Sequence, residues 1–204
     1  MPEFRVACTI SGGGRTVLNL LDRVADDDLA AAIAAVVADR ECAGLERVAS
    51  RGVATALVPW TAGTTPDDYA ARAWPVLEKH RPDLVCNCGF LRLLRIPPRW
   101  THRVMNIHPG LLPKFGGKGM YGDRVHAAVL AAGETESGCT VHFADNEYDR
   151  GPIILQKRVP VKPGDTPDTL AARVFAAECE AYPEAIRLFQ AGRIRVEQGK
   201  VVIA

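Results

Sequence analysis

Short apolar runs at residues 4–10, 31–38, 53–58, 83–87 and 104–108 alternate with helix-like segments, and this alternation restricts the fold more than any other feature. Strands with no polar face are buried on both sides, and helices between consecutive strands supply the cover. The order predicts an α/β fold: a doubly wound, mostly parallel sheet in a three-layer α/β/α arrangement. The run at 31–38 fits helix or strand by itself; the turn before it and Asp39-Arg40 after it favour a strand. In such a sheet ligands bind beyond the carboxyl ends of the strands. The turn Ser11-Gly12-Gly13-Gly14-Arg15-Thr16, the turn Gly89-Phe90-Leu91-Arg92-Leu93-Leu94 and the pair Asn106/His108 all fall on that edge. Asn106 and His108, two apart in an extended segment, point to one face.

Helices are expected over 17–24, 44–52, 66–80, 96–101, 125–132 and 167–189, with Thr65 and Thr166 as caps ahead of Pro66 and Pro167. Two further strands, 138–143 and 152–161, flank the acidic loop 145–151, and 194–204 reads as a small hairpin around Gly199. Four glycines among residues 116–122 predict a mobile loop or lid. His142 is expected to face the sheet interior and bond its neighbours, and His80, His102 and His126 to lie on the surface or in loops.

At 204 residues the chain is long enough for a sizeable core and is expected to form a single domain. A net charge of +1 with scattered basic residues excludes the field that recruits nucleic acid or an anionic membrane. No apolar run is long enough to span a bilayer, and the N-terminus enters a strand directly, so a cytoplasmic protein is expected. The six cysteines form no C-x-x-C pair, and most lie in apolar runs, where reduced thiols act as small hydrophobes. No metal site is expected, because Cys86 and Cys88 have no further ligands nearby.

A strand, a glycine-rich turn and a helix N-terminus together make an anion site. Gly12-x-Gly14-x-x-Val17 partly matches the dinucleotide fingerprint, with Asp39 near the position of a ribose-binding acid. Val replaces the third glycine, however, and three consecutive glycines also suit a phosphate monoester. A nicotinamide enzyme would leave Asn106, His108 and Asp149 without a shared role.

The segment Asn106-Ile107-His108-Pro109-x-Leu111-Leu112-Pro113 is followed by Gly138-Cys139-Thr140-Val141-His142-Phe143 and by Asp149-x-Gly151-Pro152-Ile153-Ile154-Leu155-Gln156. In this order the three motifs resemble the folate-dependent formyltransferases. The opening Ile10-Ser11-Gly12-x-Gly14, the 89–94 turn and Glu178-x-x-x-Tyr182-Pro183 are similar to the branch that formylates glycinamide ribonucleotide in purine synthesis. The similarity covers essentially residues 4–193.

The resemblance implies a Rossmann-like formyltransferase fold, with 1–103 binding phosphate and 104–204 carrying catalysis and folate. It also implies transfer of the formyl group of 10-formyltetrahydrofolate, a co-substrate, to the amine of glycinamide ribonucleotide. Its catalytic trio falls on Asn106, His108 and Asp149. Such a reaction needs a donor for the developing oxyanion and a route for the ammonium proton. The amide of Asn106 fits the first task, and His108 beside Asp149 the second. The amine substrate is assigned to Gly12, Gly13, Gly14, Arg15, Thr16 and Glu178. Folate is assigned to Phe90, Leu91, Arg92, Leu93 and Leu94, to Asn106, and to Asp145, Asn146, Glu147 and Tyr148. The implied partners are these two small molecules, acting on a monomer or homodimer.

Three departures stand out: Arg15-Thr16 replaces the family's commoner Ser-Asn pair, the 116–122 loop is longer, and Pro66 stands where a basic residue is common. The alternatives are a formyltetrahydrofolate hydrolase, another amine formyltransferase, or a non-catalytic folate- or nucleotide-binding module. Methionyl-tRNA formyltransferases carry an additional C-terminal domain and the hydrolases usually an N-terminal one. The extent of this chain leads to the expectation of the purine enzyme.

Overall fold

The computed structural model describes residues 3–204. Strands β1 (Arg5–Ile10), β2 (Ala32–Ala38), β3 (Thr55–Leu57) and β4 (Leu84–Asn87) follow the apolar runs, with helices α1 (Arg15–Ala25), α2 (Ala43–Ala49) and α3 (Pro66–Glu78) between them. Next come β5 (Val104–His108), α4 (Asp123–Ala131), β6 (Glu136–Phe143), β7 (Ile153–Pro160) and α5 (Pro167–Gln190). A separate hairpin, β8 (Ile194–Glu197) and β9 (Lys200–Ile203), ends the chain.

The large sheet has seven strands in the order β3-β2-β1-β4-β5-β6-β7. β1 pairs in parallel with β2 and β4, β2 in parallel with β3, and β6 antiparallel with β7. The chain steps outward from β1 to β3 and then returns to the other side of β1 with β4. This reversal is the topological switch point, where the connections leave β1 and β4 in opposite directions and open a crevice. The doubly wound, mostly parallel sheet expected from the alternation is present.

The chain divides into two compact units between Met105 and Asn106. In the first, Val6, Ala7, Cys8, Leu84, Val85 and Cys86 are fully buried, and α3 adds Tyr69, Ala73 and Leu77. A buried side chain the size of Leu77 contributes about 1.5–3 kcal/mol. In the second, Cys139, Val141 and Phe143 of β6 are buried together with Leu170, Val174, Tyr182 and Ile186 of α5.

Helix caps follow the sequence closely. Thr65 accepts from the Asp68 N–H while Asp68 accepts from the Thr65 N–H, with Pro66 in the first turn. Thr166 and Thr169 repeat this reciprocal box ahead of α5.

Several expectations need correction. α1 starts at Arg15, because Gly14 adopts the left-handed conformation (φ 71°) and turns the chain into the helix two residues early. The helix expected over 96–101 is a single 3-10 turn, Pro98–Trp100. Pro97 and Pro98 have no N–H to donate, so no longer ladder forms there. β3 is limited to three residues and α4 begins at Asp123. His126 is buried, not superficial, on the inward stripe of α4 with Val125 and Val129. Among the described residues no helix is long and apolar enough to cross a membrane. None of the six cysteines forms a disulfide, and burial pushes the Cys139 thiol up to about 12.

Candidate active site

Asn106 and His108, at the carboxyl end of β5, meet Asp149 from the loop between β6 and β7. His108 Nδ1 lies 3.5 Å from Asp149 Oδ2, and His108 Nε2 lies 2.9 Å from the Phe115 carbonyl. Both ring nitrogens therefore face oxygen acceptors, a setting that suits a ring able to hold two protons. Burial pushes the His108 imidazole below the ordinary histidine range. The Asp149 carboxylate and the Phe115 carbonyl oppose that shift, and His142 adds to it. For Asp149, burial alone would raise the carboxyl. The nearby His142, the charge of His108 and the Gly117 N–H outweigh burial and hold it below the usual carboxylate range.

A fourth side chain joins these three. His142 Nδ1 lies 2.8 Å from the Phe143 carbonyl, so the neutral ring keeps its proton on Nδ1. Nε2 is then an acceptor for the Asn106 amide nitrogen, 3.1 Å away. The same nitrogen is 3.5 Å from Asp149 Oδ1. Two acceptors fix the orientation of the amide, since a flipped group would set its oxygen against a carboxylate. His142 does bond its neighbour, as expected, but its contact with Asn106 went unforeseen. The available signal was the spacing of Thr140 and His142, which strand periodicity places on one face.

The motif residues around the trio explain themselves as braces. Thr140 Oγ1 donates to the Gly110 carbonyl (2.7 Å) and accepts from the Leu112 N–H (3.1 Å). Gln156 Nε2 donates to the Leu112 carbonyl and to Thr140 Oγ1, each at 2.9 Å. The peptide between Leu112 and Pro113 is cis. Gly151 is required because a Cβ there would lie 1.9 Å from the Phe143 carbonyl oxygen. That close approach lets the loop fold down on β6 and carry Asp149 to His108. Phe115 and Asp149 both have left-handed backbones (φ 60° and 56°), a conformation that non-glycine residues hold only where the surroundings impose it. The 116–122 loop is anchored at its start: the Gly117 N–H donates to Asp149 Oδ2 at 2.9 Å.

In the first unit the glycine turn leaves β1 at the switch point. The Ser11 N–H donates to the Gly89 carbonyl (3.1 Å), so this turn and the 89–94 turn lie side by side. Gly12, Gly13 and Arg15 are exposed and Thr16 half-buried at the start of α1. The Gly44 N–H of α2 donates to the Gly12 carbonyl, and Arg47 Nη1 to the Gly13 carbonyl. Asp39 is not open to a ribose. Its carboxylate is fully enclosed and held by Arg40 Nη2 (2.9 Å) and Arg92 Nε (3.1 Å). This excludes the role the dinucleotide fingerprint would give it.

The family model described as "Formyl transferase" matches residues 4–186. The chain belongs to the formyltransferase family. It is 38% identical over 203 residues to the trifunctional purine biosynthetic protein adenosine-3 of Bos taurus, covering 98% of this chain and 20% of that protein. It is 35% identical over 195 residues to the chloroplastic phosphoribosylglycinamide formyltransferase of Arabidopsis thaliana, covering 94% of this chain and 67% of that one. The crystal structure of glycinamide ribonucleotide transformylase 1 from Symbiobacterium toebii superposes with a TM-score of 0.90 at 38% identity, over 98% of this chain and 94% of the other. The chain thus spans a fifth of the length of its trifunctional relative. The likeness to the solved structure carries the three-layer α/β/α fold expected from the alternation.

The remaining expected residues of this formyltransferase take different settings. Glu178 is buried on α5, close enough to Cys139 to raise its thiol. Phe90 and Leu94 are core side chains, while Leu91 is exposed and Arg92 and Leu93 half-buried. Asp145 turns its own loop by accepting from the Glu147 N–H at 2.8 Å; Asn146 and Glu147 are exposed and Tyr148 half-buried. Among the described residues no group of three or more His, Cys, Asp or Glu is placed to hold a metal ion.

Proposed function

We propose that this formyltransferase moves the formyl group of 10-formyltetrahydrofolate to the primary amine of glycinamide ribonucleotide. The observation that carries this is the cluster of Asn106, His108 and Asp149, with Asp149 3.5 Å from each of the other two, in a chain whose relatives bear that activity in their names. The amine attacks the formyl carbon, charge develops on the formyl oxygen, and the ammonium loses a proton. Asn106 commits one N–H to His142 and has only a long contact to Asp149 for the other. That second N–H is the donor for the oxyanion, a role worth about 3–4 kcal/mol in comparable enzymes. His108, held between Asp149 and the Phe115 carbonyl, passes the proton from the ammonium toward the leaving tetrahydrofolate nitrogen. Asp149 balances the charge while the ring carries two protons.

The phosphate of the amine substrate is assigned to the backbone of Gly12–Gly14 with Arg15 and Thr16, and its amine end to Glu178. The folate is assigned to the backbone of Phe90–Leu94, to Asn106 and to Asp145–Tyr148. A cytoplasmic setting, as a monomer or homodimer, completes the reading.

The test is a spectroscopic assay with 10-formyl-5,8-dideazafolate, run with and without glycinamide ribonucleotide. Deformylation that requires the amine is expected. Deformylation without it would make the chain a hydrolase, and none under either condition would overturn the transferase.

A further inference from the structure

We propose that Asp39 is a positioning residue for both substrates: its enclosed carboxylate ties the glycine turn, through Ser11, to the 89–92 turn, through Arg92. This rests on the proposed assignment of phosphate to the first turn and folate to the second. Asp39 ends β2 and its side chain is fully buried. It accepts from Arg92 Nε at 3.1 Å, from Arg40 Nη2 at 2.9 Å and from the Ser11 hydroxyl. Ser11 Oγ in turn accepts from the Leu91 N–H at 2.9 Å, and the Ser11 N–H donates to the Gly89 carbonyl. One hydroxyl thus donates to Asp39 and receives the folate-side turn.

Aromatic packing completes the frame. The Arg92 guanidinium lies over the Trp60 ring at 5.1 Å, Trp60 lies 5.3 Å from Tyr69, and Tyr69 lies 5.6 Å from Phe90. The Trp60 N–H also donates to the Asp39 carbonyl at 2.7 Å. An enclosed carboxylate held by two partly exposed arginines is a weak source of stability, because its desolvation offsets most of the attraction. Its effect here is directional. The carboxylate decides where the Ser11 hydroxyl points and where Arg92 lies, and both turns follow.

The experiment measures binding of glycinamide ribonucleotide and of 10-formyl-5,8-dideazafolate, each alone, by calorimetry, with steady-state kinetics alongside. Asp39→Asn keeps the volume but turns an amide toward two guanidiniums. It is expected to weaken both ligands by about tenfold and to raise both KM values while kcat changes little. Ser11→Ala removes the bridge without touching the charge, and carries the test if Asp39→Asn fails to fold. It is expected to shift both affinities in the same direction. A merely structural residue would lower the active fraction, seen as kcat, and leave KM unchanged; that result, or wild-type affinity for either ligand, overturns the proposal. Wild-type protein that binds neither ligand would instead overturn the functional assignment beneath it.

Discussion

His108 combines opposing influences within one ring. Burial disfavours its charged form, while Asp149 Oδ2 at 3.5 Å and the Phe115 carbonyl at 2.9 Å favour it. The ring is therefore expected to titrate below an ordinary histidine in an NMR pH series. Asp149→Asn removes the main upward influence and should move that titration lower still. His108→Ala is expected to cut turnover at least about a hundredfold, the scale for losing a general acid or base, with the fold retained. The circular dichroism spectrum checks the second half of that statement. Strand alternation alone set Asn106 and His108 on one face of β5. His142 was not identified as their neighbour, because alternation names a face without naming what meets it. The enclosure of Asp39 was likewise hidden: Arg92 lies 53 residues further along the chain.

Elements place these side chains through their ends. The turn of three glycines after β1, the proposed phosphate site, is supported from behind by α2, with the Gly44 N–H on the Gly12 carbonyl. A Cβ at Gly44 would stand 2.4 Å from the Gly12 oxygen and 3.0 Å from the Gly14 nitrogen. Gly44→Ala is therefore expected to displace the turn and raise KM for glycinamide ribonucleotide, as steady-state kinetics would show. α3 gives a cleaner test of local stability, since Thr65 and Asp68 cap each other at the surface, away from the trio. Thr65→Ala should cost about 1 kcal/mol in urea denaturation and leave turnover unchanged. Both caps, Thr65 and Thr166, were readable from Thr followed by Pro; the reciprocal bonds from Asp68 and Thr169 were not. The collapse of 96–101 to a 3-10 turn was hidden, because two prolines suit a first helical turn as well as they suit no helix.

Across the whole molecule, buried histidines set the acid side of the stability curve. Burial lowers His108, and also His126, whose Nδ1 has no hydrogen-bond partner. The unfolded chain takes up protons at these rings near pH ~6.5, while the folded chain resists until lower pH. Their contribution is thus intact above about pH 6.5 and is lost as pH falls toward the folded values. Asp149, held low, adds a contribution present above about pH 3.8 and lost as pH falls through its folded value. Urea midpoints across pH 5–8 should fall on the acid side, and His126→Leu should flatten that fall. The periodicity of the chain was enough for the strands, the caps, and the shared face of Asn106 and His108, because each depends on residues within a few positions. Asp149 at His108, His142 on Asn106, His126 inside α4 and Asp39 between two arginines depended on contacts across the fold. Those contacts form only when packing brings distant segments together, as when the absent side chain of Gly151 lets its loop close on β6.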